Sequence, residues 1–339
     1  MKPHTMTLPT PTRRRASTTW LALAVVAATL GTATTAVWGQ TAWPSKPVRL
    51  VVAFPPGGLA DVMTRLLQPQ LTEALGQPVV IENRGGANGN VAADAVIRGT
   101  PDGHSFVISS TGIESVNPFM YARMPFSPGK DLVHVALLAN SQLFLVTRPS
   151  LPPNTLKAFV AYAQANPGRL SYGSAGSGST PHLAGELFKQ YAGIFATHLP
   201  YRGAAPALQD VLAGQIDFAF VPGTAFAYVK SGKLKLLAVA SPKRTDNYPS
   251  APTFLEEGLG PVFADTLFGI YAPTGTSPEA VTRLNREVNK LLASATLKAR
   301  YADLGAEAMP LSPTEFKALV AEETKVFSGV VKARRIAPD

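Results

Sequence analysis

Cysteine is absent from all 339 residues. Its absence removes disulfides, thiolate metal sites, cysteine nucleophiles and a lipid-anchoring cysteine from consideration. There is no low-complexity tract, and the longest early apolar stretch, Trp20 to Leu30, has 11 residues and is too short to span a bilayer. Acid is scarce relative to base, with 22 Asp and Glu against 31 Lys and Arg and a formal charge of +9. Part of that surplus is local. The first 42 residues hold Lys2, Arg13, Arg14 and Arg15 and no acid, so removing these four bases leaves 27 against 22, about +5. A surplus that small, without a basic run, gives no nucleic-acid footprint. It steers anionic ligands gently.

What those first 42 residues do have is the order of a secretory signal: a basic stretch, the apolar run, then small residues up to Ala42. Cleavage is expected between Ala36 and Ala42. Arg13-Arg14-Arg15 raises a twin-arginine route, but Ala16-Ser17 follow where that signal carries a large apolar residue. Sec and twin-arginine export therefore stand equal. A cysteine-free exported chain without an anchor is expected to be a free periplasmic protein.

The body of the chain is organised around Phe54-Pro55-Pro56-Gly57-Gly58-Leu59-Ala60-Asp61. The apolar run Val48 to Ala53 before it reads as a buried parallel strand. Behind it, Val62, Met63, Leu66, Leu67, Leu71, Ala74 and Leu75 share one helix face. Strand, glycine turn and helix aim free amides and a positive helix end at one point, where an anion fits. The stretch has no lysine, no P-loop spacing and no GxGxxG, so a small carboxylate suits it better than a phosphate. A tight turn with no ligand explains the same residues.

Further units repeat the pattern. Strand Val79 to Asn83 leads into the glycine-rich turn Arg84 to Asn90 and a helix from Val91. Strand Ser105 to Ser109 ends in Ser110-Thr111-Gly112. Three βα units predict a parallel sheet with its ligand loops at the carboxyl ends of the strands. The apolar run Leu137 to Val146, broken by Asn140-Ser141-Gln142, reads as a crossing into a second α/β domain. That domain carries its own loops, Ser174 to Thr180 and Tyr201 to Pro206. Val262 to Tyr271 returns the chain to the first domain. Three helices then close the molecule, the last opened by the capping box Ser312-Pro313-Thr314-Glu315. The expected fold is α/β and two-lobed, with residues 43–142 plus 265–339 as domain 1, 143–264 as domain 2, and two crossings forming a hinge over a cleft.

Nine short motifs in register resemble one family. They include Trp43-Pro44-Ser45-Lys46-Pro47, Phe54 to Gly58 with Asp61, Glu82 to Gly89, and Pro101-Asp102-Gly103-His104. They continue with Gly176-Ser177-Gly178-Ser179 before His182, Tyr201-Arg202-Gly203 with Pro206, Gly214-Gln215-Ile216-Asp217, and Ala272 to Thr276. Together they look like the Bug-type receptors, the periplasmic solute-binding components of tripartite tricarboxylate transporters. The resemblance implies a type II-like periplasmic binding fold with no catalytic step, closing on a small organic anion held by backbone amides. Carried over residue by residue, it nominates Phe54, Pro56, Gly57, Gly58, Leu59, Ala60 and Asp61, with Thr111 as a further wall. From the second domain it nominates Ser174, Gly176, Ser177, Gly178, Ser179 and Thr180, then Tyr201, Arg202, Gly203, Ala204, Ala205 and Pro206. The family usually carries a hydroxyl where this chain has Leu59-Ala60, which makes that wall greasier and favours a carboxylate with an apolar body.

Single residues have competing readings. Asp61 is expected to cap the first helix and tie down its loop. Ser177 and Ser179 lack the GxSxG of an esterase and read as hydroxyl donors or as a flexible loop. His182 and Glu186, four apart, lack a third ligand for a metal, so His182 is read as bracing the loop before it, and Asp217 as lying behind the site. His104, His134 and His198 read as isolated structural residues. Arg202 either pairs with a ligand carboxylate or forms an outer salt bridge. The expectation is a monomeric receptor for a di- or tricarboxylate, acidic amino acid or aromatic carboxylate, handing it to integral membrane transporter components. No cofactor, metal or nucleic acid is expected. A receptor feeding a sensor kinase, and an exported hydrolase or isomerase, are the alternatives.

Overall fold

The computed structural model describes residues 43–338 together with Met1, Pro3 and Thr7, so the expected signal peptide lies almost wholly outside the described residues. Strand β1 (Val48–Val52) is apolar and buried on both faces, as a central parallel strand must be. It pairs in parallel with β2 (Val79–Asn83) on one side and with β3 (Ser105–Ser110) on the other. The helix Leu59–Leu75 joins β1 to β2. It keeps Pro69 inside and stops at Gly76, whose φ of 68° lets its amide reach Thr72 and Glu73 carbonyls.

Beyond β3 the sheet is not parallel. β4 (Leu132–Ser141) and β10 (Thr266–Pro273) complete it, with β10 inserted antiparallel between β3 and β4. The short β11 (Ala306–Ala308) adds an antiparallel edge on β4. The order is β11-β4-β10-β3-β1-β2. The three strands of the expected βα units are parallel, and the strands added later in the chain make the sheet mixed. The returning chain enters from the second sheet and runs back along β4, so it pairs antiparallel with its own outgoing strand.

The second sheet is built from β5 (Phe144–Thr147), β6 (Leu170–Ser174), β7 (Ala196–Pro200), β8 (Phe218–Val221) and β9 (Lys235–Val239), in the order β7-β6-β8-β5-β9. β6 lies parallel to β7 and β8, while β5 runs antiparallel to β8 and β9. Helices cover both faces of each sheet, giving four separate apolar cores. The C-terminal helices Pro278–Leu292 and Ala295–Ala302 cover one face of the first sheet through Leu284, Val288 and Tyr301. Helix Pro313–Arg334 covers the other through Phe316 and Val320, and its capping box is formed.

Two connections join the sheets, β4 to β5 through Gln142-Leu143 and β9 to β10 through residues 240–265. They lie side by side. Asn140 Nδ2 donates to Asp265 Oδ2 (3.4 Å), Ser241 Oγ to the same oxygen (3.1 Å), and Gln142 Nε2 to Ser241 Oγ (3.2 Å). The carboxyl ends of β1, β3, β6 and β8 all come to one place, where the sheets face each other.

Candidate functional site

Each parallel strand delivers a short turn to that place. After β1 the chain turns through Gly57, whose φ of 78° suits only a residue without Cβ, and Gly58 becomes the N-cap of helix Leu59–Leu75. After β6, Ser179 is the N-cap of helix Thr180–Ala192. After β7, Gly203 is the N-cap of helix Ala204–Leu212. The first residues of all three helices, Leu59 with Ala60, Thr180 with Pro181, and Ala204, line one cavity.

The three N-termini share a feature: none has a side-chain cap. Ser179 Oγ instead donates to Gly176 O (2.6 Å), turning its oxygen from the helix amides. Four helices that start elsewhere are capped in the ordinary way, by Thr155, Ser277, Ser294 and Ser312. The first-turn amides of these three helices are therefore left without a side-chain acceptor at the cavity. No charged side chain lines it. Its field comes from three helix ends, each equivalent to about half a positive charge.

The remaining walls come from the crossings and from β3. Ser110, Ser141, Leu143, Thr266 and Phe268 line the cavity, as do Asn88 and Pro222. Phe54 packs edge-on against Phe268 with ring centroids 5.9 Å apart, making one wall carbon. Thr180 Oγ1 and Thr266 Oγ1 meet at 2.6 Å across the space. The two halves touch around it: Asn88 Nδ2 donates to Gly178 O (3.2 Å), and a Cβ on Gly203 would come within 2.5 Å of Pro55 Cδ. The cavity measures about 40 Å³. A second, of about 580 Å³, adjoins it and shares Phe54, Asn88 and Ala175.

Of the residues singled out in the sequence, Phe54, Gly58, Leu59, Ala60, Ser179, Thr180 and Ala204 line the inner cavity. Gly176, Ser177, Tyr201 and Arg202 line the adjoining one. Gly178 and Gly203 sit where the halves touch. Pro56 and Gly57 are exposed on the rim, and Pro55 lines the cavity in their place. Thr111 and Ser174 are buried beside the cavity and do not line it, and neither do Ala205 and Pro206, the next two residues of their helix.

Asp61 also lies away from the cavity, and the helix cap is Gly58, not Asp61. Its carboxylate, 2% exposed, accepts from the Gly57 amide (2.9 Å), Arg65 Nε (3.0 Å) and Asn83 Nδ2 (2.9 Å). It fastens the turn from beneath, where its charge meets Arg65 instead of an incoming anion. Asp217 is corrected too. It stands at the amino end of β8, the end opposite the cavity, holding Arg148 (3.0 Å) and the Ser171 amide (2.9 Å).

The histidines are not isolated. His134 Nε2 lies 2.9 Å from Glu114, and His104 Nδ1 lies 2.9 Å from Asp102 O. His182 Nδ1 accepts from the Gly178 amide (3.1 Å), and its ring stacks on His198 at 3.8 Å. His198 Nε2 is 2.7 Å from Ser174 Oγ. Burial, with the neighbouring His182, lowers the His198 pKa to about 3, so that ring is neutral. Ser174 and His198 have the spacing of a nucleophile and base, but Ser174 has no exposed surface and its hydroxyl is engaged by Gly176. The pair braces the loop. Arg202 forms no ion pair among the described residues.

Among the residues missed in the sequence, Ser141, Leu143, Thr266 and Phe268 lie in the two crossings or in the strand ends that flank them. Their signal was positional: segments joining two sheets over a cleft must form its floor. Asn88 carried a second signal, since its φ of 48° lies in the glycine-rich turn after β2.

A family model described as tripartite tricarboxylate transporter family receptor matches residues 63–336. Protein BugT of Bordetella pertussis is 34% identical over 293 residues, covering 86% of this chain and 90% of BugT. Among solved structures, R. palustris Rpa4515 with adipate aligns at a TM-score of 0.85 and 34% identity, over 88% of this chain and 100% of that one. MatC from Rhodopseudomonas palustris with bound malate aligns at 0.80 and 31%, over 85% of this chain and 100% of that one.

Proposed function

This chain belongs to the tripartite tricarboxylate transporter receptor family, and on that premise we propose that it captures a small organic carboxylate between its two sheets and hands it to membrane transporter components. The observation that carries this reading is the convergence of three uncapped helix N-termini on one uncharged cavity. Amides with no intrahelical acceptor suit a carboxylate's lone pairs, and they bind it without a counter-charge that would have to be desolvated. The relatives solved with adipate and malate hold anions of this class.

Each sheet with its helices acts as a lobe, and the paired crossings act as the hinge. A space of about 40 Å³ takes only a few atoms, so the lobes part to admit the ligand. Closure around it excludes water and strengthens each amide contact. The Phe54–Phe268 wall and the Leu59-Ala60 pair favour a ligand with an apolar body. The protein performs no chemistry on it, and the route is export to the periplasm followed by delivery as a monomer.

A thermal-shift screen over di- and tricarboxylates, acidic amino acids and aromatic carboxylates tests the reading. A true ligand at 100 times its Kd adds about 2.7 kcal/mol. Stabilisation by one structural class and not by neutral analogues is the expected result. A panel in which no carboxylate raises Tm, or in which one is turned over, sinks the proposal.

A further inference from the structure

The C-terminal helix Pro313–Arg334 does more than cover the first sheet. Phe316 and Val320, in its first half, pack on that sheet. Phe327 and Val331, in its second half, join a separate apolar cluster with Val116 and Met120, which follow β3, and with Leu183 of the other lobe. The chain then turns back at Arg335, where φ is 50°, and the Ile336 amide donates to Val331 O (3.1 Å). That turn tucks the Ile336 side chain into the same cluster. All its members are buried, and no strand residue is among them. Apart from Leu183 they all belong to the first lobe, so the cluster persists only while the lobes are together.

Arg334 crosses the same seam. Its Nη2 donates to Glu186 Oε2 (3.4 Å), three residues beyond Leu183 on the second lobe's helix. Glu186 does not depend on this contact, because Tyr172 Oη (2.9 Å) and Lys189 Nζ (2.6 Å) hold its other oxygen. Arg334 Nε is buried with no partner among the described residues. A single long contact is readily given up, and neither lobe loses an internal bond when it breaks. The seam continues to the loop before Ser179. A Cβ on Gly178 would meet Met120 Sδ at 2.5 Å, and Gly178 O receives Asn88 Nδ2 (3.2 Å).

We propose that the end of this helix, Phe327 to Ile336, is a latch that holds the two lobes together when no ligand is bound. The inference goes beyond the capture reading and rests on it only for the parting of the lobes. Closure then has two sources, the ligand inside the cleft and the latch outside it. Because the latch touches no ligand, it biases liganded and unliganded protein alike and leaves selectivity to the cleft. Weakening it lowers the closed-to-open ratio and hastens release with the cleft unchanged.

The test compares unliganded wild type with Ile336→Asp, Arg334→Gln and Lys332→Gln by small-angle X-ray scattering and by urea unfolding. Lys332 is the control, since it lies on the same helix and its Nζ reaches the Phe119 ring of its own lobe, 5.6 Å from the centroid. Wild type is expected to scatter as the closed structure does. Ile336→Asp puts a charge into the seam and should lower the closed-to-open ratio by about tenfold or more, seen as a larger radius of gyration. Arg334→Gln should shift it less in the same direction, and Lys332→Gln not at all. A wild type that is already open without ligand overturns the latch. So does an Ile336→Asp protein with wild-type scattering, whatever its urea midpoint, because a merely structural role lowers the midpoint and leaves the shape alone. If Ile336→Asp does not fold, Ile336→Ala carries the same comparison. None of these measurements uses a ligand. A failed latch therefore leaves the capture reading to the carboxylate screen, and a failed screen leaves the latch standing.

Discussion

Asp61 shows how a residue can look like a ligand contact and be its support. It lies in the first turn of a helix that points at the proposed anion site, where a free negative charge would oppose binding. Burial, the largest single influence on its carboxyl, opposes ionisation. Arg65, the Gly57 amide and Asn83 together outweigh it and hold the pKa below the usual carboxylate range. A depressed folded pKa contributes stability that is present above the unfolded value and lost as pH falls through the folded one. Asp61→Asn is therefore expected to cost on the order of 2 kcal/mol at pH 7, by weakening the charge-assisted bonds its buried carboxylate accepts from Gly57, Arg65 and Asn83. The gap from wild type should close as pH drops below about 4. Urea unfolding of both proteins at pH 7, 5, 4 and 3 reads this directly. A gap of constant size across that range would mean that ionised Asp61 does not hold the turn.

Two helices that begin differently show what a cap does. Ser312 caps its helix and closes a box with Glu315; Gly58, at an equivalent position, leaves its amides free. Ser312→Ala should cost about 1 kcal/mol of stability and leave ligand-induced stabilisation whole. Gly58→Asp should do the reverse. Gly58 has φ −70° and ψ 161°, which Asp adopts readily, although its Cβ meets Pro55 O at 3.2 Å. The new carboxylate would take the amides and repel the ligand, leaving unliganded Tm near wild type while the ligand-induced shift disappears. A Gly58→Asp protein with an undiminished shift would remove this helix end from the site. Much of this level was legible in the sequence. The capping box, the Gly76 stop and the strand-to-turn order from β1 to β3 are local patterns, and local patterns fix local structure. The antiparallel entry of β10 between β3 and β4 was not, because that pairing joins segments more than 120 residues apart with no local signal. The His182–His198 stack was hidden for the same reason, since a helix and a strand meet there only once the second sheet has formed.

At the scale of the whole molecule, the proposed opening and closing of the two lobes would place its demands on the paired crossings. One group there is out of balance. Asp265 on the second crossing receives Asn140 Nδ2 from the first and Ser241 Oγ, yet its Oδ1 is buried without a partner, as is Asn140 Oδ1. Burial pushes its pKa up to about 6, against the pull of Ser241, Asn140 and Lys243 and with a smaller push from Glu307. A carboxyl whose folded pKa is raised binds its proton more tightly in the native state, so its contribution to stability falls as pH rises from about 4 to about 6 and stays low above that. Asp265→Asn keeps an oxygen for Ser241 and Asn140 Nδ2 and puts a neutral NH₂ where the orphaned Oδ1 stands. The variant is expected to be more stable than wild type at pH 7, on the order of 2 kcal/mol. The difference should shrink towards pH 4, where wild-type Asp265 carries its own proton. Denaturant midpoints for both proteins between pH 4 and 7.5 check the sign and the window together. Parallel pH profiles would show that Asp265 does not titrate there, and that the crossings carry no charge cost for the hinge to relieve when the lobes move.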